Sequence, residues 1–276
     1  PSIAGIIIAL VGEGICFAFN AVSYLAVLAS LFMLQLPAFV AKPEVRKAGE
    51  VLKEGFQYAF GFAPIRAVIM QVGLISLFGM PFSVLMPVFA KDILGGGANT
   101  LGYLMGASGV GALTGALYLA SRKTVLGLGK IIIFNTILFG AALMAFSFST
   151  VLVLSLVLML FSGFGMIVQM SSNNTILQTI VDEDKRGRVM SFYAMAFLGM
   201  APLGSLIAGY VAEFVGVTYT LFACGFLCIL SVLPLVLQFN KLRAMVRPIY
   251  QRLGILPEIA SGLQSASNLT SPPEED

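Results

Sequence analysis

The sequence predicts an all-α membrane protein whose helices cross a bilayer several times. Hydrophobic residues make up 58% of the 276 positions and charged residues only 11%, whereas about a quarter of a soluble globular chain is charged. The apolar residues fall into runs of about 20 residues, the length that crosses the bilayer core as a helix. Most runs lack the polar stripe that a soluble helical bundle would need, so lipid is the expected solvent for much of the chain.

Seven apolar runs are long enough to be transmembrane helices. A shorter apolar stretch, residues 1–12, precedes the first of them. A polar segment follows the first run, and there lysine, glutamate and apolar positions mix as in an amphipathic helix at a membrane surface. The tail from residue 241 has the same character. The predicted transmembrane helices cover residues 14–36, 66–90, 101–120, 130–149, 151–181, 189–212 and 217–239.

The basic residues lie almost entirely on one side of this arrangement. Of the 16 lysines and arginines, all except Lys91 fall in the segments 37–66, 121–130 and 182–188 or in the tail. Positive charge is retained on the cytoplasmic side of membrane proteins. These segments and the C-terminus are therefore predicted to be cytoplasmic, in a multi-pass protein of the plasma (inner) membrane. The net charge of +3 is too small to indicate a nucleic-acid partner.

This orientation predicts a labelling pattern. In a variant without native cysteines, a single cysteine replacing Ser121 or Asp184 should resist a membrane-impermeant thiol reagent added to intact cells. A cysteine replacing Asn99 should react, because residue 99 lies on the opposite side from the basic loops. The reverse pattern would show that the helices run in the opposite direction.

A short sequence match indicates an internal repeat. Ile3-Ala4-Gly5 followed by Val11-Gly12 reappears 204 positions later as Ile207-Ala208-Gly209 followed by Val215-Gly216. Many secondary transporters consist of two such repeats, with the substrate site between them. If the second repeat begins near Arg66, the same offset places the beginning of the first repeat roughly 140 residues before Pro1. We therefore expect four further helices and part of a fifth upstream, which would give twelve helices in two halves of six.

Several segments resemble the major facilitator superfamily, in particular bacterial exporters such as enterobactin exporters and macrolide-efflux-like proteins. The resemblance covers about residues 1–240 and implies the major facilitator fold, truncated here to the end of helix 5 through helix 12. The loop Ser121-Arg122-Lys123-Thr124 lacks the aspartate of the family's loop motif, and proton coupling stays open. The matching segments are Pro1-Ser2-Ile3-Ala4-Gly5, Gly79-Met80-Pro81-Phe82-Ser83-Val84-Leu85, Pro87-Val88-Phe89-Ala90, Leu101-Gly102 through Gly111-Ala112-Leu113, Arg186-Gly187-Arg188-Val189-Met190-Ser191 and Gly199-Met200-Ala201-Pro202-Leu203-Gly204-Ser205.

The resemblance also divides the chain into four parts. Residues 1–36 are expected to end the N-terminal half, and 37–65 to form a cytoplasmic linker between the halves. Residues 66–240 would form the C-terminal six-helix half, and 241–276 a cytoplasmic tail. The missing N-terminal helices of the same protein are thus an expected partner, besides the lipid bilayer.

The most unusual polar cluster lies on the helix predicted over 151–181. Gln169, Ser172 and Asn173 share one face, and Gln169 lies roughly 18 Å from the cytoplasmic end of the helix, near mid-membrane. An amide facing lipid costs several kcal/mol unless it is satisfied. Two interpretations remain open: hydrogen bonds between helices, or a water-filled substrate cavity. The resemblance implies the cavity, because the corresponding helix lines it in the family.

The helix predicted over 66–90 offers a second set of candidate cavity groups. Pro81 and Pro87 free backbone carbonyls and should bend this helix, which could equally be a structural kink without ligand contact. A cavity with amides, hydroxyls, methionine and phenylalanine but no charge suits a bulky, mostly apolar ligand. The candidate groups are Gln71, Ser76, Met80, Phe82 and Ser83.

Two further groups have structural roles in this interpretation. The charged loop after residue 181 either only orients the helices or forms a salt-bridged cytoplasmic gate, whose members would be Asp182, Asp184, Arg186 and Arg188. Small residues at helical spacing allow close helix packing. The predicted packing residues are Gly102, Gly106, Gly111, Gly115, Ser205 and Gly209.

The predicted function is secondary active export of a bulky, largely apolar compound, such as a drug or a siderophore, by alternating access. A lysophospholipid transporter, or a non-transporting receptor or assembly partner, remains an alternative. An enzyme is not expected, because the chain has no histidine and no lysine or carboxylate deep in a helix. No catalytic residue, metal site or cofactor is predicted.

Overall fold

The computed structural model describes residues 13–34 and 48–256, and helices are the only regular elements in these two ranges. A π-helical turn, Phe89–Ile93, interrupts the series. The helices are α1 (Glu13–Phe32), α2 (Ala48–Gly61), α3 (Ala63–Gly79), α4 (Pro81–Val88), α5 (Ala98–Ala120), α6 (Leu128–Ser147), α7 (Leu152–Ile180), α8 (Glu183–Val215), α9 (Val217–Ser231), α10 (Leu233–Leu237) and α11 (Phe239–Arg252).

Six stretches of the described chain are long and apolar enough to cross a membrane, by length and composition. The ends of each stretch lie within a few residues of the ends of a predicted helix. The exception is Glu183–Val215, which begins six residues before the helix predicted over 189–212. The first predicted helix corresponds to α1, of which Asn20–Phe32 is a shorter apolar segment. The predicted stub over residues 1–12 lies outside the described residues. The six stretches are Ala63–Ile93, Ala98–Ala120, Leu128–Ser147, Leu152–Ile180, Glu183–Val215 and Val217–Leu237.

Prolines break two of these stretches, as was predicted for the first. The helix ends at Gly79, and α4 restarts at Pro81, because proline lacks the amide hydrogen needed to continue the ladder. Pro87 lies inside α4, one residue before its end, and the π-helical turn follows. Pro234 likewise stands in the first turn of α10, just after α9 ends at Ser231.

The charged segment 182–188 is mostly helical, whereas the sequence suggested a loop. Asp182 occupies the N-cap of α8, and Glu183 and Asp184 follow in its first turn. Negative side chains stabilise the positive end of a helix dipole. This electrostatic match extends α8 six residues earlier than the apolar pattern predicted.

The transmembrane helices pack in a series in which α5 contacts α7, α7 contacts α6, α6 contacts α9, α9 contacts α3, and α3 contacts α8. Helices α5 and α8 form the two ends of this series, and α8 also contacts α9 and α4. One apolar core cluster joins Ile69 of α3, Leu177 of α7 and Val189 of α8 with Ala59 of α2 and Val246 of α11. The two amphipathic helices thus dock against the transmembrane bundle.

Glycines set the closest contacts between these helices. A Cβ at Gly111 of α5 would lie 1.9 Å from the carbonyl oxygen of Leu160, and one at Gly163 of α7 would lie 1.9 Å from that of Ser108. Gly115 approaches Phe164 in the same way, at 3.0 Å. Small residues let helix backbones approach closely in this manner.

The other predicted packing positions lie on more open surfaces. No atom lies within 4 Å of a Cβ built at Gly102 or Gly209, and Gly106 and Ser205 are half-buried. The sequence interpretation passed over Gly204, where a Cβ would meet the carbonyl oxygen of Leu77 at 1.9 Å.

Candidate functional site

The polar cluster on α7 lies inside the bundle. Gln169 and Asn173 are each 1% exposed, and Ser172 is fully buried. Asn173 Nδ2 donates to Gln169 Oε1 at 3.1 Å. Asn173 Oδ1 and Ser172 Oγ are buried without a hydrogen-bond partner among the described residues. Leaving such a group unsatisfied costs about 1–3 kcal/mol, so these two oxygens are the available acceptors of the cluster.

A second polar stripe runs along a more open face of the same helix. Ser171 and Asn174 are half-buried and Gln178 is exposed, and their spacing places them on one side of α7. Gln178 Nε2 donates to the side-chain oxygen of Asn174. These three residues were not among the predicted cavity groups, although their i, i+3, i+7 spacing is visible in the sequence.

Asn135 of α6 is a further buried amide close to α7, and it was not among the predicted cavity groups. It is buried, and its Nδ2 donates to the Ile131 carbonyl at 2.9 Å, while its Oδ1 has no partner among the described residues. A Cβ at Gly165, one turn before Gln169 on α7, would lie 2.9 Å from the Asn135 backbone oxygen. An isolated amide inside an apolar helix was the available signal, because intramembrane polar groups are costly.

The polar residues of α3 join helices to one another. Gln71 Nε2 lies 3.5 Å from Thr136 Oγ1 of α6 and 3.3 Å from Ser231 Oγ of α9. Ser76 donates to the backbone oxygen of Phe197 in α8. The described structure therefore places both side chains in contacts between helices.

The remaining candidates lie at the break between α3 and α4. Met80 and Phe82 are half-buried, and Ser83 is exposed. Ser83 Oγ donates to the Met80 carbonyl at 2.8 Å, and the Phe82 ring packs edge-on against Phe139 with centroids 6.2 Å apart. The break thus places the Met80 thioether and the Phe82 ring beside the exposed side chain of Ser83.

The charged residues near residue 182 pair with distant segments. Asp182 accepts hydrogen bonds from the Tyr58 hydroxyl at 3.1 Å and from Arg252 at 3.2 Å. Arg188 forms an ion pair with Glu54 at 3.2 Å. We call Glu54, Tyr58, Asp182, Arg188 and Arg252 the clamp, since they join α8 to α2 and α11.

The other two predicted gate residues take no part in the clamp. Arg186 lies 3.9 Å from Glu183 on its own helix. Asp184 forms no hydrogen bond or ion pair within the part of the chain that the structure describes. The contacts of Asp182 and Arg188 therefore extend to α2 and α11 instead of joining the four predicted gate residues to one another.

Tyr58 lies at the centre of the clamp. Its hydroxyl oxygen also accepts from the Asp182 amide at 3.3 Å, and Lys185 Nζ lies 4.5 Å above its ring. Partial burial raises the pKa of the Tyr58 phenol above its ordinary value. The phenol therefore remains a hydrogen-bond donor to Asp182 throughout the physiological pH range.

Removing the Asp182 side chain should loosen the clamp. Asp182→Ala loses the contacts to Tyr58 and Arg252, and exposed pairs of this kind contribute about 0.2–1 kcal/mol each. We expect trypsin to cleave after Lys53 of α2 roughly two- to fivefold faster in this variant. Asp184→Ala is the matched control and should be cleaved at the original rate. Equal rates in the two variants would contradict the clamp.

The described residues contain no group of three histidine, cysteine, aspartate or glutamate side chains that could hold a metal ion. Cys224 and Cys228 are buried free thiols on α9.

Comparisons with known proteins agree with this architecture. The profile of a family described as transmembrane secretion effector, a branch of the major facilitator superfamily, matches residues 1–249. The staphyloferrin A transporter of Staphylococcus aureus (strain NCTC 8325 / PS 47) is 26% identical over 246 residues, which are 88% of this chain and 61% of that protein. The multidrug efflux pump Tap of Mycolicibacterium fortuitum is 26% identical over 228 residues, 81% of this chain and 55% of the pump.

A third relative is the uncharacterized MFS-type transporter YfmI of Bacillus subtilis (strain 168), 26% identical over 249 residues. The match covers 87% of this chain and 61% of YfmI. The chain thus spans less than two thirds of the length of these relatives. Because the family profile covers most of the chain, this multi-pass, all-α membrane protein belongs to the transmembrane secretion effector family of the major facilitator superfamily.

Proposed function

We propose that the chain forms the C-terminal half of a secondary active transporter that exports a bulky, largely apolar organic compound by alternating access. Two of its relatives bear the names of a staphyloferrin A transporter and a multidrug efflux pump, which supports a siderophore or a drug as cargo. The proposed role is carriage without catalysis. The protein would lie in the plasma membrane with its C-terminus in the cytoplasm, as the distribution of basic residues indicates.

The exposure of α5 and α8 carries this proposal. In an apolar stretch of 18 residues within each span, only 17% of the residues of α5 and 11% of those of α8 are buried. The corresponding share in the other four spans is 39–44%. These two helices end the packing series, and small residues such as Gly102 and Gly209 lie on their open surfaces. Surfaces of this kind favour contact with further helices. An N-terminal half of the same protein would cover them and enclose a site between the halves.

The polar residues of α7 would supply the hydrogen bonds of this site. Asn174 and Gln178 line its open face, and Asn173 and Gln169 lie behind them. Met80 and Phe82, at the break after α3, would supply adaptable apolar contacts. Charged residues lie near the ends of the six spans, so a neutral or weakly charged cargo fits best.

The clamp would serve as a gate on the cytoplasmic side. It holds α8 against α2 and α11 through exposed contacts of low individual strength. Such contacts can break and re-form when one half rocks against the other. Proton coupling is not part of this proposal, since none of the residues discussed for the cavity carries a titratable group near neutral pH.

Measuring cargo accumulation in cells tests the proposed function. Cells that lack their own efflux pumps would produce the chain joined to its N-terminal half, and would be loaded with a panel of fluorescent apolar dyes. We expect at least one dye to accumulate several-fold less than in cells without the protein. If a labelled lysophospholipid moves instead, the alternative cargo is correct. If nothing moves although the protein is folded in the membrane, a receptor or assembly role is favoured.

A further inference from the structure

A groove on the bundle surface lies apart from the polar face of α7. It runs between the first half of α3, the α9–α10 junction and the beginning of α11, and encloses about 240 Å³. Its walls are mainly apolar. The lining residues are Ala63, Arg66, Ala67, Met70, Gln71, Leu74, Ser231, Pro234, Leu235, Gln238 and Leu242.

The length of the groove matches one leaflet of a bilayer. From Ala63 to Leu74 along α3 it extends over roughly 16 Å, at 1.5 Å per residue. Half of a hydrocarbon core measures about 15 Å. The groove begins near Ala63 and Leu237, which are ends of the membrane-spanning stretches Ala63–Ile93 and Val217–Leu237. Both ends lie on the side predicted to carry the basic loops. A single acyl chain entering from that side would reach Leu74 near the bilayer midplane.

Most of the groove wall is apolar and offers contact area to an acyl chain. Met70 is 53% exposed on one wall, and Leu235 and the Pro234 ring stand on the other. At its floor, the Gln71 amide already donates to Ser231, whose hydroxyl donates to the Cys228 carbonyl. Polar groups that satisfy each other leave the floor compatible with a hydrocarbon chain.

Two cations flank the open end of the groove. Arg66 is exposed and uses Nη1 to donate to the Phe60 carbonyl at 3.2 Å. A guanidinium carries five N–H donors, so others can bind a phosphate oxygen. Lys241 is exposed and follows Gln238, a lining residue, by three positions, a spacing that brings side chains to one side of a helix. The charge at the mouth is complementary to an anionic headgroup.

From this geometry we propose that the groove binds an anionic phospholipid, with its phosphate on Arg66 and Lys241 and one acyl chain between α3 and α10. The lipid would stay with the protein and would not be cargo. The groove lies on the side of α3 that carries Ala67 and Met70, whereas Ile69 and Val72 face the core. Of the predicted cavity groups only Gln71 lines the groove, and none of the α7 residues, Met80 or Phe82 does. The proposed lipid site therefore does not depend on the transport activity.

Quenching by brominated lipid tests the proposal directly. The chain contains no tryptophan, so Met70→Trp places a single fluorophore in the groove. Phe134→Trp, on a 65% exposed position of α6, is the control for ordinary lipid contact. The full chain would be reconstituted in phosphatidylcholine with a small fraction of brominated phosphatidylglycerol or brominated phosphatidylcholine. At residue 70 we expect brominated phosphatidylglycerol to quench the tryptophan about three- to fivefold more strongly than brominated phosphatidylcholine does. At residue 134 the two lipids should quench equally.

Adding Arg66→Gln or Lys241→Gln should reduce this preference, whereas Lys123→Gln in a distant basic loop should preserve it. Two charge variants keep the test decisive if one of them fails to fold. Equal quenching by the two lipids would overturn the proposal. So would the absence of quenching at residue 70, which would mean that protein covers the groove. Loss of the preference on adding glycerol 3-phosphate would show a site for soluble phosphate instead of lipid.

Discussion

Gly111→Ala should lower the stability of the folded bundle by about 1–3 kcal/mol, the usual cost of adding a methyl group to a packed contact. The new Cβ would lie 1.9 Å from the Leu160 carbonyl oxygen, so α5 and α7 would have to separate. Because α5 and α7 share the most extensive helix contact among the described residues, separation would also loosen the neighbouring contact between Gly163 and Ser108.

Thermal unfolding followed by size exclusion in detergent would measure this effect. We expect the melting temperature of Gly111→Ala to fall by roughly 3–10 °C. Gly109→Ala is the matched control, since no atom lies within 4 Å of a Cβ at that position. Gly163→Ala should resemble Gly111→Ala, because its Cβ meets the Ser108 carbonyl oxygen at the same distance. Identical melting of the position 109 and 111 variants would contradict the described packing.

Asn173→Leu should impair export at least several-fold while leaving the protein in the membrane. Leucine is favourable in a bilayer, whereas the substitution removes a buried oxygen that has no partner among the described residues. It also removes the donor to Gln169. A lost polar contact is worth roughly 1 kcal/mol or more, which corresponds to a several-fold change in affinity. Gln169→Leu should act in the same direction.

Transport kinetics at matched protein levels would measure the effect. Ser155→Ala is the control on the same helix, because the Ser155 hydroxyl only donates to Ser149 at 2.9 Å and lies two turns or more from the polar cluster. This control should change stability slightly and leave export unchanged. If both leucine variants export normally, the amides contribute only to packing.

The sequence predicted the helices well because lipid imposes a minimum length on every span. The runs over 101–120, 130–149 and 151–181 correspond closely to α5, α6 and α7. The breaks beside Pro81 also followed from the chemistry of proline. The start of α8 at Glu183 was not predicted, because the apolar pattern begins only at residue 189. Acidic side chains in the first turn stabilise the helix N-terminus and extend the helix to Glu183.

Which side of each helix faces protein was harder to predict. In a bilayer an apolar side chain suits both a protein neighbour and lipid, so the periodicity that orients a soluble helix is weak. For this reason Gly204 was missed and Gly102 was placed in a packed seam, although its surface is open. The same ambiguity left open which side of α7 contacts cargo, and the structure adds only that Asn173 is buried and Asn174 is half-buried.

Long-range pairs in the clamp had no signal in the sequence. Asp182 lies 124 residues after Tyr58 and 70 residues before Arg252. Each of these segments is charged and amphipathic in its own right, and many other pairings would satisfy the same pattern. Only the docking of α2 and α11 on one core cluster brings the three side chains together.

The central claim is that the open face of α7 lines a substrate path between two halves. The most direct test is whether this face is accessible to water. The protein would carry a single cysteine at Asn174 and would be treated with a small, water-soluble thiol reagent in inside-out membrane vesicles. We expect Asn174→Cys to react and an exported dye to slow the reaction. A cysteine at Phe134, on an exposed apolar position of α6, should stay unreactive. If Asn174→Cys is as inert as the Phe134 control, the face contacts lipid or protein and the proposed path does not exist.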